Sequence, residues 1–264
     1  MTDTTARPKS REEFERAIWD TGNNLLQMAS IPWFSGQRYR RKLRLFALAC
    51  FDIVRPLVSD PRSLAAVAFF ERHIEKSGVV GRVGRPAVAQ AAEAAAFEIR
   101  DRWLNVYPRV PMTPEQWDDT IAHFAASHLV EGDGSTAAAM CCQSAAQIRL
   151  GKWALANGYW PPDYATPAVF AASKVFEKEI IELLKDVIGD PFREVTFSPA
   201  WRTDTAVILA RQMYESRDFS LMPILADALQ DAGCEDEQIL AHCRDPQATH
   251  FRGCWVVDLV LGKG

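Results

Sequence analysis

Three cysteines and two histidines fall within 21 residues near the C-terminus: Cys234, His242, Cys243, His250 and Cys254. Thiolate sulfur and imidazole nitrogen are the donors that tetrahedral zinc selects. Cys234, Cys243, His250 and Cys254 are separated by eight, six and three residues, close to the rhythm of a Cys₃His structural site. The segment has no C-x₂-C knuckle, the more specific zinc signal. The competing reading uses the same residues as filling. Cysteine is among the commonest buried side chains, and three small thiols with Trp255 would close the junction of three short helices. That packing reading, with no cofactor, is the expected one; a structural zinc on Cys234, Cys243, His250 and Cys254 is its alternative.

Other reactive types are scattered. His123 and His128 are five apart on one predicted helix and do not share a face, so they read as ordinary core or surface histidines. Cys141 and Cys142 fall early in a helix, where amide dipoles favour a thiolate. No partner base stands nearby in sequence, and the run Ala137–Cys142 reads as small buried residues. Gly78-x-x-Gly81-x-x-Gly84 and Gly132-Asp-Gly-Ser-Thr136 lack the G-K-[ST] ending of a phosphate-binding loop and read as helix connections. The basic run Arg38, Arg40, Arg41, Lys42 and Arg44, with Tyr39 inside it, offers cations for an acidic partner or for nucleic-acid phosphates. It continues into an amphipathic helix, so its simplest reading is that helix's solvated face.

The elements that must position these residues read as helices throughout. Asp60-Pro61, Thr113-Pro114, Thr166-Pro167 and Ser198-Pro199 each pair a capping side chain with proline at the first helical position. Gln116 completes a capping box with Thr113. Leu43, Ala47, Cys50, Val54 and Val58 form one helical stripe; Phe176, Ile180, Leu183, Leu184 and Val187 form another. Helices are predicted near 11–28, 39–58, 61–77, 86–105, 114–130, 135–157, 167–188, 200–216, 221–232, 235–244 and 253–261. Arg193–Phe197 reads as an extended connector. The fold class is therefore all-α, a multi-helix bundle or irregular helical array with negligible strand. The Gly-Pro-rich stretch 157–167 predicts an internal joint, giving an N-terminal helical subdomain 1–157 and a C-terminal one 168–264, or one continuous domain.

Composition bounds the function. Hydrophobic residues make up 48% and charged residues 24%, which excludes a disordered chain or a coiled-coil rod. The best uncharged apolar run, Leu45–Phe51, is far short of the roughly 18 residues of a membrane span. The polar N-terminus shows no secretory signal, and a cytoplasmic location with reduced thiols is expected. Net charge is −4, unevenly spread: 20 Lys/Arg against 17 Asp/Glu up to residue 160, then 10 against 17.

Lys42–Cys50 (KLRLFALAC) and Ser59–Val67 (SDPRSLAAV) resemble the N-terminal part of a large paralogous family of uncharacterised planctomycete proteins. Leu221–Cys234, Ile239–Cys243 and Arg252–Gly262 resemble that family's C-terminal signature, and Asp190–Arg193 with Ser198–Trp201 resemble the approach to it. The resemblance implies no established activity and no assigned catalytic residues. The signature also occurs beside unrelated companion domains, which implies a recurring module in place of an enzyme core.

Together these observations predict a non-catalytic helical scaffold or interaction module, working with a protein partner or a second copy of itself. The alternatives are a structural zinc site within 234–254 supporting a binding surface, a cysteine-dependent enzyme through Cys141 or Cys243, and nucleic-acid binding through 38–44.

Overall fold

Leu43, Ala47, Cys50 and Val54 recur every three or four residues, and in the computed structural model they line the buried face of one central helix. The structure describes residues 10–22, 25–29, 37–75, 87–104, 112–129 and 134–263. The first eight helices are α1 (Arg11–Thr21), α2 (Leu25–Ala29), α3 (Gln37–Val54), α4 (Pro61–His73), α5 (Ala87–Leu104), α6 (Pro114–Leu129), α7 (Gly134–Ala156) and α8 (Pro167–Ile188). Four more follow: α9 (Asp204–Ser216), α10 (Met222–Asp231), α11 (Glu237–Arg244) and α12 (Trp255–Leu261). No strand occurs among the described residues, so the all-α expectation holds. The central helix is α3, packed against α6, α7 and α8. The buried face of α7 is small (Ala137, Ala138, Cys141, Cys142, Ala145), which lets helix axes come close.

Helix starts follow the cap-proline pattern. Asp60 Oδ1 accepts from the Arg62 amide at 2.8 Å. Thr113 and Gln116 exchange both bonds of the capping box, at 2.9 and 3.3 Å. Thr166 precedes Pro167 without a side-chain cap, and Ser198 caps only a single 3₁₀ turn. The predicted helix 11–28 is broken: Gly22 adopts φ 53°, its amide bonds back to Ile18, and the chain restarts as α2. Glycine enters that left-handed region without the Cβ clash other residues meet. The Gly78–Gly84 connection lies outside the described residues.

The hydrophobic cores divide at a different place from the predicted joint at 157–167. Ile180, Ile181, Leu183, Leu184, Val187 and Ile188 of α8 belong to the same core as α3 and α7. The second core starts beyond the connector that follows Gly189, and is built from α9 to α12. The aromatics of the Gly-Pro stretch pack back against α6 and α7. The indole of Trp160 donates to the Met112 carbonyl at 3.1 Å and meets Trp117 edge-on, while Tyr159 stacks on Trp153. Apolar packing thus groups α8 with α3 and α7, with Phe192 and Phe251 also packed on that core, while α9 to α12 build a second core.

The two units meet across a charged layer. Asp258 of α12 is fully buried and takes Arg41 Nη1 and Nη2 at 2.6 and 3.2 Å, with Lys42 Nζ at 2.7 Å. Lys42 also donates to the Gly253 carbonyl at 3.0 Å. Glu75, Tyr214, Arg252 and Lys263 complete the network: Arg41 donates to Glu75 and Tyr214, and the Tyr214 hydroxyl donates to Glu75.

Candidate metal centre

At one edge of this interface, four side chains converge. Asp186 sits in the last turn of α8 between Leu184 and Val187, so the helix that buries its apolar neighbours buries the carboxylate too. His242 comes from α11. The N-cap Asp236 accepts from the Gln238 and Ile239 amides, fixing where that helix starts. Ile239, Leu240 and Cys243 then face the smaller core. Adjacent helical residues point about 100° apart, so seating Cys243 in the core swings His242 aside, toward Asp186. His250 lies in the loop before α12, and Cys254 is the residue that precedes that helix's first turn.

The donor atoms of Asp186, His242, His250 and Cys254 all lie within 4.8 Å of one another. His250 Nδ1 is 2.7 Å from Asp186 Oδ1, and His242 Nε2 is 3.2 Å from the same oxygen. His242 Nε2 is also 3.2 Å from Cys254 Sγ, and His250 Nδ1 is 3.9 Å from it. The other carboxylate oxygen, Oδ2, accepts the Phe251 amide at 2.9 Å, which aims Oδ1 into the cluster. Trp255 flanks His242 and Phe219 flanks His250. Only His242, with 18% of its side chain accessible, reaches appreciably toward solvent.

Burial alone would raise the Asp186 pKa, but hydrogen bonds and charge from His242 and His250 hold it below the ordinary value. Burial pushes the Cys254 thiol well up, and the Asp186 charge adds to that; the Val257 and Val256 amides pull back only in part.

Of the four residues expected from spacing, the structure brings His250 and Cys254 together and leaves Cys234 and Cys243 outside the group. Both outsiders are buried in the smaller core, and burial pushes Cys243 up to about 12. Spacing missed Asp186 and His242. A legible signal for Asp186 existed, an acid set among Leu183, Leu184, Val187 and Ile188. For His242 the sequence held none that ranked it above its neighbour Cys243.

The other candidates are engaged elsewhere. Arg41 and Lys42 point inward to Asp258, and Arg44 and Tyr39 are buried, so the solvated-face reading of the basic run does not hold for them. Of the described side chains in that run, only Arg40 is exposed; the Arg38 side chain lies outside the described set. Asp258 at 0% exposure is what draws the cations in. His123 is a core histidine: Nε2 accepts the Asp60 amide at 3.1 Å, and Nδ1 lies 2.7 Å from the Asp119 carbonyl. Cys141 and Cys142 are buried, their thiols pushed up by desolvation, Cys142 to about 12.

No family model matches the chain, and no curated protein or solved structure matches it significantly.

Proposed function

We propose that the chain is a non-catalytic helical scaffold in which a small C-terminal unit is fixed to a larger helical bundle, and that it acts through a protein partner. The observation that supports this is the way the two imidazoles meet Cys254 and Asp186. A cysteine enzyme needs a relay: one nitrogen of a histidine on the thiol, the other on the orienting acid. Here His242 turns the same nitrogen, Nε2, to both Cys254 Sγ and Asp186 Oδ1. His250 likewise turns Nδ1 to both. The arrangement converges on a point and passes no proton along a line. Cys254 is also sealed from solvent, with its thiol pKa raised, the opposite of an activated nucleophile.

The reactive side chains of the tail therefore serve to hold two units together. Alkylation of the native protein by iodoacetamide at neutral pH, read residue by residue by mass spectrometry, tests it. All six thiols are expected to react only after denaturation. Rapid stoichiometric labelling of Cys254, Cys243 or Cys141 in the folded protein would overturn the scaffold reading in favour of a cysteine-dependent enzyme.

A further inference from the structure

We propose that Asp186, His242, His250 and Cys254 bind one zinc(II) ion in a closed structural site that clamps the C-terminal unit to the end of α8. The proposal rests on the scaffold reading in one respect, that the junction is structural, and it names what holds the junction.

Convergence is the first observation. His242 Nε2 lies 3.2 Å from both Asp186 Oδ1 and Cys254 Sγ, and His250 Nδ1 lies 2.7 Å from that oxygen and 3.9 Å from that sulfur. With the imidazoles neutral and the thiol ionised, all four atoms present lone pairs to one centre.

Geometry is the second. Bonds of about 2.0–2.2 Å to nitrogen and oxygen and about 2.3 Å to sulfur space tetrahedral donors roughly 3.3–3.6 Å apart. Of the six donor–donor separations, four are 2.7, 3.2, 3.2 and 3.9 Å and all are within 4.8 Å, so shifts of about 1 Å or less per side chain bring the set to that spacing.

Charge is the third. A carboxylate, a thiolate and two neutral imidazoles carry −2, which a divalent ion cancels, and a neutral assembly is the form that tolerates burial. One soft sulfur with two imidazoles selects zinc or cobalt(II) over calcium and magnesium, which take oxygen ligands. The Phe251 amide on Asp186 Oδ2 is the outer support that orients such a ligand. Four protein donors leave no open position, the mark of a structural ion. Asp186 comes from the larger core and the other three ligands from the smaller unit, so the ion joins what the sequence separates by 56 residues or more.

The test uses the full chain, untagged and reconstituted with zinc(II) alone, with metal measured after gel filtration. One zinc per chain is expected in the wild type and in Cys234→Ala, and at least a tenfold lower content in His242→Gln and Cys254→Ser. Absence of stoichiometric zinc in the wild type overturns the proposal while leaving the scaffold reading to the alkylation result. Full zinc retention by His242→Gln and Cys254→Ser overturns it too. Because a ligand variant can fail to fold, cobalt(II) is added in parallel to the wild-type chain. Intense tetrahedral visible bands with a thiolate charge-transfer band support the site. Weak octahedral bands lacking that transition contradict it.

Discussion

Asp258 shows how much a single buried residue decides in this molecule. It is inaccessible to solvent, and two cations from α3 converge on it. Removing one partner of a buried ion pair leaves the other charge desolvated, which costs about 3–5 kcal/mol. Asp258→Ala is therefore expected to lower the unfolding free energy by that much, read from the urea midpoint at an unchanged m-value, and a loss under about 1 kcal/mol would show the layer is hydrated. Gly253, five residues earlier, is equally constrained. Its φ is 104°, and a Cβ there would stand 2.8 Å from Leu45 Cδ1. Gly253→Ala should cost on the order of 1–3 kcal/mol. Pairing it with Leu45→Ala removes the Cδ1 contact but leaves Leu45 Cβ at 3.0 Å and the strained backbone, so a thermal melt of the pair should show no return to wild-type stability. At this scale the sequence was half legible. His250 and Cys254 stand out by type and spacing. Asp186 shows only as an acid within the apolar stripe of α8, because nothing local in the sequence links the last turn of that helix to the tail. His242 and Cys243 are sequence neighbours with opposite destinations, and only the facing of α11 separates them.

Elements were more legible than sites because their signals are local. Cap and proline sit beside each other, so Asp60-Pro61 and Thr113-Pro114 mark α4 and α6 without any tertiary knowledge. The capping box at Thr113 satisfies two otherwise orphaned donors, and Thr113→Ala should destabilise the protein by about 1 kcal/mol, measured by chemical denaturation. An unchanged midpoint would mean that water replaces the cap. The errors are local ambiguities too. Gly22 permits a helix interior or a left-handed cap, and tertiary packing chose the cap. The stretch 157–167 has the composition of a linker, yet Tyr159 and Trp160 anchor it to α6 and α7, and the apolar residues of α8 share a core with α3 and α7. The basic start of α3 resembles a solvated face because the acid that neutralises it lies more than 200 residues away.

For the molecule as a whole, the consequence is a joint that depends on ionisation. Burial would raise the Glu75 pKa, but hydrogen bonds from Arg41 and Tyr214, with charge from Arg41 and Lys263, lower it to about 2. A carboxylate whose folded pKa lies below its unfolded value stabilises the fold above the unfolded value and ceases to as pH falls. Stability should therefore decline from about pH 4.5 toward pH 2, the folded value, by on the order of 1–2 kcal/mol once exposure of the site is allowed for. Glu75→Gln should flatten that limb of the pH–stability curve, and a curve of unchanged steepness would remove Glu75 from the account.

The central claim is that one ion joins the two units through one sulfur and three lighter donors. X-ray absorption at the zinc edge of the reconstituted full chain reads that directly. The account predicts a single sulfur at about 2.3 Å and three nitrogen or oxygen scatterers at about 2.0–2.2 Å. A first shell with three sulfurs would return the site to Cys234, Cys243 and Cys254, and a shell of oxygen alone would mean the four side chains do not hold the metal.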